Sequence, residues 1–427
     1  MEIVEPVGIP SRDSDRRAKQ NLFPLVGGQA ASLFGDYIAV FTLPYFMLSL
    51  TGEAFDLGLT GAAETLPMLL FGLAAGVFLD RRRRLGFTLI GTDLVRAGVF
   101  MLLAFGAHTG LIPPMAILAA AFVTGSMGVL FDSGLQIYMT RSLRTEDLIK
   151  ANAQLGLART ISLSIGPLVG GVIVALAGGF ALAFGMNAIT FLVSAVLLSF
   201  VRPITSIASE AHEPFMRAMR TGVRILFADK RLRWGTLGGT VTNLVFQPLE
   251  ALLVMFVAVE VLGLENLSEG LAEAGALIGL FFGAQAAIAS VGVVFAGKLA
   301  KRIPLGTMYI LGLAMLGFGF LAVAIMGNWY AVIPAGVAIT GVTWANIAFV
   351  TMRQQLTPPE HMGRVIAASR TFAWAGLPIG AAAGGWMAGV VGIVPVYIVG
   401  SSSVVIVALL LMRTALYKDR VMAGSAG

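Results

Sequence analysis

Residues 76–84 read Gly76-Val77-Phe78-Leu79-Asp80-Arg81-Arg82-Arg83-Arg84. They close an apolar run over 57–79 and are followed at once by another over 85–107. Each run has the length of a bilayer crossing, about 20 residues. A carboxylate followed by four guanidinium groups is expensive to bury in hydrocarbon, so the stretch reads as a turn at a membrane surface. The same alternation recurs outward in both directions. Twelve apolar spans are predicted, over 22–50, 57–79, 85–107, 113–136, 154–177, 181–201, 232–260, 273–297, 305–326, 330–351, 365–390 and 393–412. Lipid offers a backbone no hydrogen-bond partner, so runs this long and apolar are membrane helices, and the fold class is an all-α membrane protein.

Composition agrees. Of 427 residues, 57% are apolar and 12% charged, where a soluble domain carries about 25% charged residues, so a soluble globular class is excluded. The absence of cysteine excludes disulfides, thiolate metal sites and cysteine nucleophiles. Three histidines, at 108, 212 and 361, argue against a histidine metal cluster. No cofactor is expected.

The net charge of +6 has a topological origin. All 29 Lys and Arg residues precede span 1, lie in or beside every second connection, follow span 12, or, as Arg96, sit at the same end of span 3. The intervening connections have none; the longest of these, 261–272, carries Glu265 and Glu269. By the positive-inside rule both termini are expected in the cytosol, with attraction to anionic lipid a secondary effect and no role for nucleic acid. Residues 1–21 contain Glu2, Glu5, Asp13 and Asp15 and no apolar core, unlike a cleaved signal peptide, and are expected to be a cytosolic tail.

The longest polar stretch, 202–231, divides the chain into six-helix halves at 22–201 and 232–413, with a tail over 414–427. Arg159, Thr160 and Pro167 of span 5 recur at one constant offset as Arg370, Thr371 and Pro378 of span 11. Gly76 to Arg81 is echoed by Gly297-Lys-Leu-Ala-Lys301-Arg302 after span 8. Two repeats of common ancestry are the economical reading, and such repeats place the site between them near the midplane.

The opening stretch resembles the loop 2/3 signature of the major facilitator superfamily, in which Gly76, Asp80 and Arg81 hold the conserved-type positions. Further matching features are Gly35-Asp36, Leu66-Pro67, Thr92-Asp93-Leu-Val-Arg96, Gly166-Pro167 with Gly170-Gly171, and Gly363-Arg364-Val365. They are similar to the branch of bacterial drug exporters related to macrolide-efflux and siderophore-export proteins. The chain departs from the pattern in two places: Arg83 stands where the signature usually has a second Gly, and span 4 lacks the Arg motif of the best-known proton-drug antiporters. The resemblance implies two pseudo-symmetric halves with spans 1, 4, 7 and 10 around a cavity and spans 2, 5, 8 and 11 in contact between halves. Small-xxx-small steps fit that contact: Gly72 and Gly76, Gly166 and Gly170, Gly275, Gly279 and Gly283, and Gly380 and Gly384.

Charged side chains inside spans are presumed paired or facing water. Asp36, Glu64 and Glu250, with the polar Gln247, Asn243 and Asn346 and the indole of Trp344, are candidates for substrate binding or proton coupling. Each could equally fix helix packing as a hydrogen-bonded group. Asp80, Arg84, Asp93, Arg96, Asp132, Arg159 and Arg370, with Gly76 and Arg81, form a candidate conformational latch at the cytosolic side. There Asp80 could face the positive end of span 11 and Arg84 could pair with Asp132. Helix anchoring is the alternative for each.

Gly292-Val-Val-Phe-Ala-Gly297-Lys298-Leu299 approximates a phosphate-binding loop but lacks the final Ser/Thr and ends an apolar helix, so nucleotide binding is not expected. The absence of HExxH and GxSxG motifs, with histidines in or beside loops, argues against an enzyme. The resemblance implies a monomeric secondary transporter in a bacterial inner membrane, moving amphipathic small molecules outward by alternating access on the proton gradient. A siderophore or a lysophospholipid is the alternative substrate.

Overall fold

The computed structural model describes residues 12–80, 82, 84–176, 179–204, 215–264, 267–300, 302–358 and 361–418. The side chain of Asp80, with Arg81, Arg83 and Lys301, lies outside the described residues, as do parts of 202–231. Every expected span falls on helix, but α1 begins at Arg12, inside the expected tail over 1–21, α5 begins at Thr145 rather than 154, and the seventh span is broken after Ala251. The helices are α1 (Arg12–Thr51), α2 (Ala54–Asp80), α3 (Leu85–Thr109), α4 (Pro114–Ser142), α5 (Thr145–Ala175), α6 (Gly179–Ser199), α7 (Phe215–Ala228), α8 (Lys230–Ala251), α9 (Leu253–Phe256), α10 (Leu267–Ala300), α11 (Leu305–Met326), α12 (Val332–Leu356), α13 (Met362–Val391), α14 (Ile393–Leu411) and α15 (Ala415–Lys418). Ten described helices are long and apolar enough to cross a membrane, and the pair Lys230–Ala251 with Leu253–Val261, bent by 45°, makes an eleventh. Helix α2, of 27 residues, is about 40 Å long at 1.5 Å per residue.

Helix ends follow local chemistry. Gly110 and Gly327 take the left-handed conformation that stops α3 and α11, and Pro114 supplies the preset first turn of α4. Asp229 caps α8, accepting from the backbone N–H of Arg231 at 2.8 Å and of Leu232 at 3.3 Å. The bend after α8 follows Pro248, which lacks the N–H for a helical bond; the chain then runs through a π turn over Val257–Val261. Helix α7 lies in the stretch read from sequence only as a polar linker. Its Met219, Val223 and Phe227 pack on the core on either side of the buried Leu226, while Arg217, Arg220 and Arg224 are exposed.

Helices α1–α6 pack among themselves, as do α8–α14, and the halves meet chiefly through α2 on α13 and α5 on α10. In the first bundle Phe46, Phe100, Phe184 and Phe191 form one cluster. The other bundle is filled by Phe256, Phe320 and Tyr397, whose hydroxyl donates to the Leu249 carbonyl. Asn21, 2% exposed, ties α1 to two other helix ends: Nδ2 donates to the carbonyls of Ser142 and Arg202 at 3.0 and 2.7 Å, and Oδ1 accepts from the Arg202 N–H at 2.9 Å.

The four helices expected between the halves are the ones found there, but the glycines divide the labour differently. A Cβ on Gly58 would fall 2.5 Å from Ala381 O and 2.7 Å from Gly385 Cα, and one on Gly171 would fall 2.4 Å from Gly275 O and 2.7 Å from Gly279 Cα. Gly166 and Gly170 instead face Tyr37 and Phe41 of α1, and Gly380 and Gly384 face Leu244 and Pro248 of α8. Within each half those glycines serve internal packing, and their neighbours Gly171 and Gly385 make the seam.

Candidate functional site

The seam glycines lie near the end of the molecule opposite the Lys/Arg clusters. From there toward the basic face the halves diverge around a cavity of about 1130 Å³. Ser164 Oγ and Ser290 Oγ still meet across the halves at 3.2 Å, and Gly72 admits the Trp374 ring, which a Cβ would approach to 3.6 Å. The cavity wall includes Asp36, Glu64, Arg96, Asp132, Gln136, Arg159, Arg370 and Trp374. Its basic-face rim includes Asn152 of α5, Met219 of α7 and Arg364 of α13.

The wall is most ordered at Arg96. Its guanidinium donates to Asp36 Oδ1 and to Ser32 Oγ at 3.4 Å, lies 3.7 Å from Asp93 Oδ1, and covers the Phe191 ring at 4.0 Å. The side chains differ in access: Asp93 is 0% exposed, Arg96 6% and Asp36 35%. The three charges therefore run from a sealed interior, through one guanidinium, to a carboxylate that meets the cavity. Neither Asp93 oxygen has a hydrogen bond of good geometry among the described residues, the Ser194 hydroxyl being its neighbouring donor. Helix α1 comes close enough to α6 for this because residue 35 is glycine: a Cβ there would fall 2.0 Å from Thr190 Oγ1 and 2.3 Å from Asn187 Oδ1.

Arg159 and Arg370 reach the cavity from opposite halves. Both are exposed, and neither makes a hydrogen bond or ion pair with a described residue; Arg370 lies over the Trp374 ring at 5.2 Å. Asp132 and Gln136, one turn apart on α4, are exposed to the same space. Arg84 is exposed and forms no ion pair with Asp132, so the expected Arg84–Asp132 pairing is not made in this conformation. Gly76 and Asp80 of α2 and the neighbouring Arg81 fall outside the described side chains.

The remaining candidates are scattered. Asn243 Nδ2 donates to the Ala373 carbonyl at 2.8 Å and Trp344 Nε1 to the Gly292 carbonyl at 2.9 Å, so both join helices of the second half. Gln247 Nε2 would lie 3.7 Å from a Cβ on Gly61, one turn from Glu64, which brings α8 against α2 near that carboxylate. Glu250 and Asn346 are exposed but are not part of the cavity wall just described. The cavity-lining Gln29 and the buried Ser32 that accepts from Arg96 were not singled out in the sequence. Their helical spacing to Asp36 was the available signal, and neutral side chains in an apolar run are too common to single out.

Comparison with known proteins bears on this geometry. The sequence model of the Major Facilitator Superfamily matches residues 25–376. Macrolide efflux protein A of Streptococcus pyogenes is 24% identical over 382 residues, 85% of this chain and 88% of that protein. Multidrug efflux pump Tap of Mycolicibacterium fortuitum is 26% identical over 378 residues, 84% and 87% of the two chains. Among solved structures, a bacterial homologue of the iron transporter ferroportin in an inward-facing state superposes with a TM-score of 0.70 at 16% identity, covering 92% of this chain and 98% of that one.

Proposed function

Because the chain belongs to the major facilitator superfamily and is a membrane transporter rather than an enzyme, we propose that it is a proton-coupled exporter of amphipathic small molecules. The observation that carries this reading is one cavity between two helical halves, sealed by glycine contacts at one end and bordered at the other by the basic face. The basic face is cytosolic by the positive-inside rule, so substrate enters from the cytosol or inner leaflet and leaves when the seam opens and the basic end closes. The relatives named for macrolide and multidrug efflux support outward transport of drug-like compounds. The protein acts as a monomer in a bacterial inner membrane, with no cofactor and the proton gradient as energy source. Asp80, Arg81 and the neighbouring arginines act as the latch that holds the basic end shut in the other conformation.

Asp36 is the coupling residue in this scheme. It is the carboxylate of the Arg96 cluster that meets the cavity, and a conformational change that alters its pairing with Arg96 would bind or release a proton where water can reach it. Glu64, in the cavity wall, attracts the cationic part of the substrate. In proteoliposomes carrying a fluorescent cation, Asp36→Asn abolishes accumulation driven by an imposed pH gradient and preserves downhill exchange. Glu64→Gln weakens transport of the cation relative to a neutral analogue. Undiminished gradient-driven flux in the Asp36 variant removes it as the coupling residue.

A further inference from the structure

Two arginines that make no hydrogen bond or ion pair with a described residue, one of them lying over the Trp374 ring, are not explained by export of cations, and they are related by the internal repeat: Arg159 of α5 and Arg370 of α13 occupy equivalent positions in the two halves. Both project into one cavity with no hydrogen bond or ion pair among the described residues. The nearby carboxylates act on them only through space. Asp36 is engaged by Arg96, and Asp132, in the same wall, lies beyond ion-pair distance of either arginine. Arg364, at the rim and 3.2 Å from His361 Nδ1, adds positive charge. Each of the two guanidinium groups keeps its N–H fork free of hydrogen bonds and ion pairs among the described residues, and such a planar fork is suited to an oxyanion.

Resting on the exporter reading, we propose that Arg159 and Arg370 form a two-sided receptor for an oxyanion of the substrate, so that the substrate class is amphoteric: one acidic group for the arginines and one amine for Glu64. The spacing suits such a molecule. Gly72 and Trp374 mark one level across the halves; Glu64 lies two turns from it toward the seam and Arg370 one turn toward the basic face. That places the two positions about 18 Å apart along the helices, a gap that two long side chains narrow to roughly 10 Å. Because the arginines belong to opposite halves, an anion held by both draws α5 toward α13 and favours closure of the basic end. Loading of substrate is thereby linked to the change of access.

The test uses the full chain in nanodiscs and two probe pairs measured by equilibrium dialysis. A fluoroquinolone bearing a carboxylate and a piperazine amine is compared with its methyl ester, and lysophosphatidylethanolamine with a monoacylglycerol of the same chain length. The expected result is binding of the acidic member at least about tenfold tighter, the size of one charge-assisted hydrogen-bonded contact. Arg159→Gln and Arg370→Gln each lose about tenfold for the acid and leave the neutral-ended partner unchanged, while Arg→Lys variants lose less because charge persists without the fork. A preference confined to the lipid pair assigns the receptor to a headgroup, and one confined to the fluoroquinolone pair to a soluble acid. No preference in either pair, including no binding, or a preference that survives both Gln substitutions, overturns the receptor. Proteoliposome flux of a simple cationic dye separates the two readings. Flux without acid preference leaves the exporter standing and the receptor refuted; acid preference with no flux of any compound does the reverse.

Discussion

Arg96 serves two carboxylates with one guanidinium, and the quality of the two contacts differs. Asp36 receives a charge-assisted hydrogen bond, whereas Asp93 stands at 3.7 Å from the guanidinium, with only the Ser194 hydroxyl nearby and no exposed surface. Buried ionic groups are retained for function more readily than for stability, and a cluster this unevenly satisfied is suited to rearrange. Its geometry depends on Gly35, since any side chain there meets Thr190 and Asn187. Gly35→Ala is expected to lower stability by about 1–3 kcal/mol through overpacking, with part of the loss restored by Thr190→Ala. Gly91 on α3 has open space around its Cβ position, and Gly91→Ala should be neutral or stabilise by up to about 1 kcal/mol. Thermal unfolding in detergent measures both; equal effects at the two positions would refute the packing argument. Asp36, Asp93 and Arg96 were legible in the sequence because a charge in an apolar run has few harmless explanations. Their partnership was not, because pairing between α1 and α3 depends on how far each helix is rotated, which spacing along one helix does not specify.

At the scale of helices, the seam shows what a one-residue step does. Adjacent residues on a helix are rotated by about 100°, so Gly170 faces α1 while Gly171 faces α10, and Gly384 faces α8 while Gly385 faces α2. Sequence reading found the right helices and, on α5 and α13, the wrong faces. Repeated small-xxx-small spacing marks close approach, but in a bundle each helix has several close neighbours. Helix α7 was missed for a related reason: its apolar stripe is short and interleaved with Arg217, Arg220 and Arg224, and reads as polar when averaged. At Gly58 and Gly385 the obstructing atoms are backbone, so a side chain there cannot be accommodated by a change of rotamer. Gly58→Val and Gly385→Val are therefore expected to hold the seam open. A cysteine at the cavity residue Thr65 should then react several-fold faster with an impermeant maleimide applied from the seam side than in the otherwise unaltered chain. Unchanged labelling would show that the glycine contacts do not close that end.

For the whole molecule, the repeat gives two similar halves and the cavity shows how far they have diverged. Arg159 and Arg370 are kept in both, whereas Asp36, Arg96 and Asp93 belong to the first half, and the Asp80 position is taken by Lys301 in the second. In the proposed cycle, symmetric scaffolding lets the two halves rock so that seam and basic end open in turn, and charge chemistry concentrated in one half would leave proton handling to one bundle. The direction of that movement depends on which face is cytosolic, and the Lys/Arg distribution predicts the basic one: a helical bundle inserted the other way would carry 29 basic residues to the side the positive-inside rule disfavours. The natural chain has no cysteine, so single introduced thiols report without background. Thr109, exposed at the far end of α3, and Lys150, exposed near the start of α5 on the basic face, lie on opposite sides in this reading. In intact cells an impermeant maleimide should label Thr109→Cys and leave Lys150→Cys unreacted until the membrane is permeabilised. The reverse pattern would turn the cavity to the outside, make uptake the natural direction of transport, and require the arginine pair to capture its anion from the external medium.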